Sequence, residues 1–288
     1  MRIEVAEHAG FCFGVKRAVD TVYQEVEKAD GQKIYTYGPV VHNEEVVRDL
    51  EERGVTVLQP GETLPAGDSG TIITRAHGVS KETEEALLAT GLRNVDTTCP
   101  FVKRIHKIVA EQSAAGKWII IIGAAGHPEV IGIRGWADGP VTVIASAEEA
   151  EAFSAPEGTE ICVVSQTTFN ANKFEDLVAI LNKKRYNIAC VNTICNATHE
   201  RQREAEALAA RADRMIVIGS KTSSNSQKLY EICKAKCPNT CFIQTQADLD
   251  LRLHGNEQLI GITAGASTPK YIIEEVFKEC QNRLLNKC

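Results

Sequence analysis

The sequence predicts an α/β protein assembled from three similar units. Short apolar runs alternate with stretches of helical periodicity almost from end to end, a pattern that gives mostly parallel sheets flanked by helices. Cys12, Cys99 and Cys195 each open a helical stretch and stand 87 and 96 residues apart in a chain of 288, close to one per third. The first two share the pattern Cys-x-x-Val-Lys-Arg. An internal repeat of that length suggests three α/β units around a pseudo-threefold axis, each offering one cysteine to the centre.

The elements follow in order. In the first third, Ile34–Tyr37, Val55–Leu58 and Thr71–Thr74 are short apolar runs of strand length. The helical pattern opened by Cys12 runs to about Lys28. In the second third, the helix after Cys99 runs to about Gln112, with Pro100 at a first helical position where no N–H is needed. Strands follow at Trp118–Ile122, Val141–Ile144 and Ile161–Val164. In the last third, Cys195 opens a helix to about Arg211, and strands are expected at Met215–Ile218, Cys241–Ile243 and Leu259–Thr263. No low-complexity run or long linker interrupts the chain, so boundaries are expected in short connectors near Arg93–Thr98 and Tyr186–Thr193. The units are then 1–95, 96–190 and 191–288.

Composition narrows the function classes. Apolar residues make up 43% and charged residues 24%, which excludes disordered and fibrous chains. With 32 basic against 38 acidic residues, net −6, no global charge favours nucleic acid or an anionic membrane, and any anion must be held locally. The amino terminus lacks a secretory or transit pattern and the most apolar stretch, from Trp118 to Gly126, is too short to span a bilayer, so a cytoplasmic protein without membrane insertion is expected. Ten cysteines in that compartment point to metal or redox use rather than a disulfide framework.

Thiolates hold iron–sulfur clusters, and a helix N-terminus favours the thiolate form. Cys12, Cys99 and Cys195 all have that context, and three thiolates on one cluster would leave one iron open to a substrate oxygen. The rival set, Cys233, Cys237 and Cys241, spans a late helical stretch, its end and a strand start, so its side chains need not converge and ordinary burial is expected. Cys162, Cys190, Cys280 and Cys288 lack a ligand context.

Polar residues recur just beyond strand ends, where open α/β sheets bind ligands. His42, His77 and His127 lie there, suited to anion binding or proton delivery, with metal ligation or plain structural hydrogen bonding as the alternatives. The Gly219–Ser226 and Thr263–Lys270 loops offer hydroxyls, amides and backbone N–H groups at helix starts, which is either an anion cradle or ordinary N-capping. Neither is a Walker loop, so a phosphorylated small molecule fits better than a nucleotide. Glu129 is either a solvated carboxylate at a helix N-terminus or a proton donor with a raised pKa. The Ser165–Thr168 turn, with Thr167 and Thr168, either positions substrate and relays a proton or simply caps a helix.

Taken together, these pieces resemble the 4-hydroxy-3-methylbut-2-enyl diphosphate reductase family. The resemblance rests on Gly10-Phe-Cys-Phe-Gly-Val, Gly38-Pro-Val-Val-His-Asn, Arg75-Ala-His-Gly-Val, Asp96-Thr-Thr-Cys-Pro, Gly126-His-Pro-Glu-Val, Ser165-Gln-Thr-Thr, Thr193-Ile-Cys-Asn-Ala-Thr, Gly219-Ser-Lys-Thr-Ser-Ser-Asn-Ser and Thr263-Ala-Gly-Ala-Ser, in family order and across the chain. Asn192 and Thr222 are small departures from its pattern. The resemblance implies a trefoil of three α/β domains around one [4Fe–4S] cluster held by Cys12, Cys99 and Cys195. It implies that His42, His77, Ser223, Ser224, Asn225 and Ser267 hold a diphosphate, with His127 nearby, and that Thr167 and Glu129 deliver a proton. The implied reaction is reductive dehydroxylation at the open iron, giving isopentenyl and dimethylallyl diphosphates, with electrons from a ferredoxin or flavodoxin and no nucleic-acid partner. An iron–sulfur hydro-lyase and a cluster-based redox sensor are the two rival readings; the sensor leaves the histidine and serine loops without a role.

Overall fold

In a computed structural model of the chain, the structure describes residues 2–67, 69–250 and 257–285. The strands are β1 (Arg2–Val5), β2 (Ile34–Tyr37), β3 (Val55–Leu58), β4 (Thr71–Thr74), β5 (Arg93–Asp96), β6 (Trp118–Ile122), β7 (Val141–Ile144), β8 (Glu160–Ser165), β9 (Asn187–Cys190), β10 (Arg214–Ile218), β11 (Thr240–Ile243) and β12 (Leu259–Ala264). The helices are α1 (Phe13–Lys28), α2 (Glu44–Glu52), α3 (Lys81–Leu88), α4 (Pro100–Ala114), α5 (Pro128–Arg134), α6 (Ala147–Ala152), α7 (Ala171–Asn182), α8 (Asn196–Ala209), α9 (Ser224–Lys236) and α10 (Lys270–Leu285).

The strands form three four-stranded sheets of wholly parallel pairing, with orders β3-β2-β4-β5, β7-β6-β8-β9 and β11-β10-β12-β1. All three share one connectivity, so the expected α/β class with three similar units stands. In the last sheet the fourth place is taken by the start of the chain, Arg2 pairing with Leu259 and Val5 with Ile262.

Three strands are absent from the sequence reading: β1, β5 and β9. Each is an edge strand of four residues with no fully buried position, and very short edge strands are one way a sheet edge avoids pairing with another chain. Two of them overlap the stretches expected as connectors, Arg93–Thr98 and Tyr186–Thr193. The division at 1–95 also groups β1 with a sheet that it does not join.

Why the central strands read so clearly is evident from their burial. Along β6, Ile120 and Ile122 pack with Ile144, Phe174, Leu177 and Leu181. The alternate Ile119 and Ile121 pack on the other face with Ile105, Val109, Val130 and Ile133. Helices cover both faces, so the strand is apolar throughout. In β10, Ile216 and Ile218 face Ile260, Ile262 and Val276, whereas Met215 and Val217 face Ala205, Leu208 and Leu229.

The chain forms two compact units, one of Met1–Lys16, His42–Val46 and Asn196–Cys288, the other of Arg17–Val41 and Val47–Cys195. Among the described residues no helix is long and apolar enough to cross a membrane.

Candidate active site

The shared connectivity puts the polar residues at matching places. In the sheet orders given above, the second strand (β2, β6, β10) is followed by a glycine whose N–H bonds the last carbonyl of the first (β3, β7, β11): Gly38 to Leu58, Gly123 to Ile144 and Gly219 to Ile243, at 2.7, 3.0 and 2.8 Å. The fifth residue past the second strand is His42, His127 or Ser223, and the seventh is Glu44, Glu129 or Asn225. Past the third strand (β4, β8, β12), the second residue is Ala76, Thr167 or Ala266 and the third is His77, Thr168 or Ser267. The residues singled out in the sequence therefore come from six carboxyl-end loops of one design.

The cysteines obey the same rule. Each follows the fourth strand and precedes a helix, and each N–H bonds the carbonyl two residues past the third strand: Cys12 to Ala266, Cys99 to Ala76 and Cys195 to Thr167, at 3.3, 3.0 and 3.2 Å. All three are partly exposed and free of disulfides. The arginine of the first repeated motif reaches far along the sequence. Arg17 donates to the carbonyls of Asp96, Thr97 and Thr98, the residues leading to Cys99. Arg201, in the helix headed by Cys195, donates to His8 and Gly10 just before Cys12, both at 2.8 Å.

Among the described residues the remaining cysteines, exposed Cys190 apart, are buried or half-buried in packing. Cys233 and Cys237 sit in the apolar layer on one face of β10, and Cys241 packs on the other, so these three do not converge. Burial pushes the Cys233 thiol up to about 12 and that of Cys280 to about 11, and raises those of Cys162, Cys190 and Cys241 as well. Cys288 lies outside the described residues.

In the unit containing β6 and β8, Glu129 is only 2% exposed, so the solvated-carboxylate alternative fails. Its Oε1 accepts the Thr167 N–H at 2.6 Å and its Oε2 the Thr167 hydroxyl at 2.7 Å. Burial lifts its pKa to about 7, against the lowering effect of the two hydrogen bonds. Thr167 is free for this task because Asn170, not the Ser165–Thr168 turn, caps α7. His127 caps α5, its Nδ1 accepting the Glu129 N–H at 3.1 Å, which leaves Nε2 to carry the ring proton outward. The His77 ring stands edge-on to it with centroids 5.5 Å apart. The Thr168 hydroxyl accepts from the Gln166 side chain at 2.9 Å. A cavity of about 370 Å³ elsewhere in this unit, lined by Asp96, Lys103, His106 and Trp136, takes in none of these site residues.

In the other unit, Ser223 caps α9, its oxygen accepting the Ser226 N–H at 3.3 Å, so capping and anion binding are not exclusive: the hydroxyl proton remains to be donated. Ser224 opens α9 beside it. Asn225 is 3% exposed, and neither its amide nitrogen nor its oxygen has a hydrogen-bond partner among the described residues, an arrangement that costs folding free energy without a ligand. Gly219 and Gly265 bring their two loops so close to Ser226 that a β-carbon at either would overlap its side chain. Ser267 donates its hydroxyl to the His42 carbonyl at 2.9 Å. Sequence reasoning passed over Glu44 in this unit. The signal for it was available: it stands at the same offset past its strand as Glu129.

Hydroxyl and amide loops of this kind can bind an anion with neutral donors, and a carboxyl with a pKa of about 7 can give up a proton. Residues 3–281 match the LytB protein family. A 4-hydroxy-3-methylbut-2-enyl diphosphate reductase of Thermoanaerobacter sp. (strain X514) is 45% identical over 279 residues, covering 97% of this chain and 96% of the relative. The enzyme of that name from Clostridioides difficile (strain 630) is 43% identical, covering 98% and 100%. Among solved structures, a reductase described as the terminal enzyme of the non-mevalonate pathway matches with TM-score 0.69 at 39% identity, covering 98% and 100% of the two chains. That of Plasmodium falciparum matches with TM-score 0.89 at 30% identity, covering 97% and 86%.

Proposed function

This chain belongs to the LytB family, and from that membership we infer that it is an oxidoreductase of isoprenoid synthesis that reduces (E)-4-hydroxy-3-methylbut-2-enyl diphosphate. Substrate, two electrons and two protons give water and a mixture of isopentenyl and dimethylallyl diphosphates; the allylic C–O bond breaks and a C–H bond forms. The observation that carries this reading is the buried Glu129–Thr167 pair, tied through the Thr167 carbonyl to Cys195.

Cys12, Cys99 and Cys195 are the ligands we assign to one [4Fe–4S] cluster. The donor set fits: three partly exposed thiols outside any disulfide, at equivalent helix starts, while burial raises the pKa of Cys233 and Cys280. When bound, the cluster supplies the electrons and a Lewis-acidic iron. The chain's own residues do the rest. His42, His77, Ser223, Ser224, Asn225 and Ser267 hold the diphosphate, and the orphaned Asn225 amide is the strongest sign of an absent polar partner. His127 presents Nε2–H, and Thr168 lines the substrate. When Glu129 is protonated on Oε2 its hydrogen bond with Thr167 reverses: Oε2–H donates to the Thr167 oxygen, and Thr167 gives its own hydroxyl proton to the leaving oxygen. A half-protonated carboxyl at neutral pH is the state such a donor needs.

The electron donor is a ferredoxin or flavodoxin in this reading, and the compartment is the cytoplasm. The test is anaerobic turnover of the substrate with a chemical reductant in limiting amount. Two electrons consumed per molecule of product supports the reductase; dehydration that consumes none would overturn it in favour of a hydro-lyase.

A further inference from the structure

We infer that Glu44 is a positioning residue: its carboxylate latches the serine loop onto the His42 segment and so builds the diphosphate cradle as one piece. This rests on the diphosphate reading above and names a residue that reading does not use.

Glu44 heads α2 two residues beyond His42. Its Oε1 accepts the Ser220 hydroxyl at 2.8 Å and the Thr222 hydroxyl at 3.1 Å, and its Oε2 accepts the Gln244 amide at 2.8 Å. Ser220 is fully buried and accepts the Thr222 N–H at 3.0 Å, which sets the two hydroxyls side by side with both of their protons turned to Glu44. One carboxylate therefore fixes both residues at the base of the loop that goes on to Ser223, Ser224 and Asn225. A second tie, Ser267 to the His42 carbonyl, holds the same segment from the other phosphate loop. Thr222, a departure from the family pattern, is thereby a partner of Glu44 rather than a passive position.

The chemistry favours a positioning task over a reactive one. Glu129, at the equivalent offset, is buried and bonds a single threonine, whereas Glu44 is exposed and saturated by three neutral donors. An ionised carboxylate beside a diphosphate site would repel the ligand; three donors aimed at it disperse that charge and turn it into an anchor.

The test uses the anaerobically purified holoenzyme with Glu44→Ala and Glu44→Gln. Losing three hydrogen bonds in Glu44→Ala should raise KM about tenfold or more while kcat stays within about threefold, because Glu129 and Thr167 are untouched. Glu44→Gln keeps an acceptor for Ser220 and Thr222, and Gln244 can turn its own oxygen to the new amide; its KM should return to within about threefold of the parent. Calorimetric binding of inorganic diphosphate should weaken in Glu44→Ala by a similar factor. Unchanged KM and diphosphate affinity in Glu44→Ala would overturn the proposal, as would a Glu44→Gln variant as impaired as Glu44→Ala, since charge rather than hydrogen bonding would then matter. A parent enzyme that fails to reduce the substrate would refute the functional reading, and the diphosphate affinities would still judge Glu44.

Discussion

Thr167 gives both of its donors to one carboxylate: its N–H meets Glu129 Oε1 at 2.6 Å and its hydroxyl meets Oε2 at 2.7 Å. Without them burial alone would push the carboxyl higher still; with them it sits at about 7, where it both holds and releases a proton.

Glu129→Gln removes that proton while keeping the shape. We expect kcat to fall by about 10²- to 10⁴-fold, the usual worth of a general acid, with substrate still bound. In the parent, kcat should decline above pH about 7 as Glu129 ionises, and the variant should lack that limb. Rate measurements across pH 6–9 check both; near-parental turnover would remove Glu129 from the reaction.

The same carboxyl makes stability depend on pH. In the unfolded chain it titrates near 4.5 and in the fold near 7, so between these values the native state holds the extra proton. Stability is therefore full below about pH 4.5 and is lost as pH rises through about 7, by about 3 kcal/mol at most. Glu129→Gln should raise the unfolding midpoint at pH 8 and leave it nearly unchanged at pH 5. Denaturant titrations of the two proteins at both pH values read this directly.

Thr167→Ala deletes the hydroxyl that stabilises the ionised carboxylate and, in the proposed function, relays its proton. The alkaline limb of kcat should move to higher pH and kcat itself should drop by about tenfold or more. Thr167→Ser retains the donor and should restore both. A pH–rate profile for the pair decides; an alanine variant with the parental limb would show that Glu129 titrates independently of Thr167.

Much of this was legible in the chain because buried parallel strands are apolar on both faces, as Ile119–Ile122 is. The edge strands were not, since Arg93–Asp96 and Asn187–Cys190 lack an apolar run, have no fully buried position and gain their structure from a neighbour far away in sequence. Glu129 was legible as a candidate but its buried state was not: nothing near it in sequence reveals that Thr167, 38 residues on, closes over it. Spacing marks Glu44 through the offset it shares with Glu129, but its partners Ser220, Thr222 and Gln244, like the carbonyls that Arg17 and Arg201 clamp, lie far off in sequence, and spacing does not expose those. The cysteines stood out because three similar units repeat one design.

That assignment is also the most directly testable part of the account. Iron should be measured in anaerobically purified parent protein and in single Cys→Ser variants at positions 12, 99, 195, 233 and 241. The account predicts about four irons per chain in the parent and in Cys233→Ser and Cys241→Ser, and little or none in Cys12→Ser, Cys99→Ser and Cys195→Ser. Full iron in any of the latter three, or its loss from Cys233→Ser or Cys241→Ser, would contradict it.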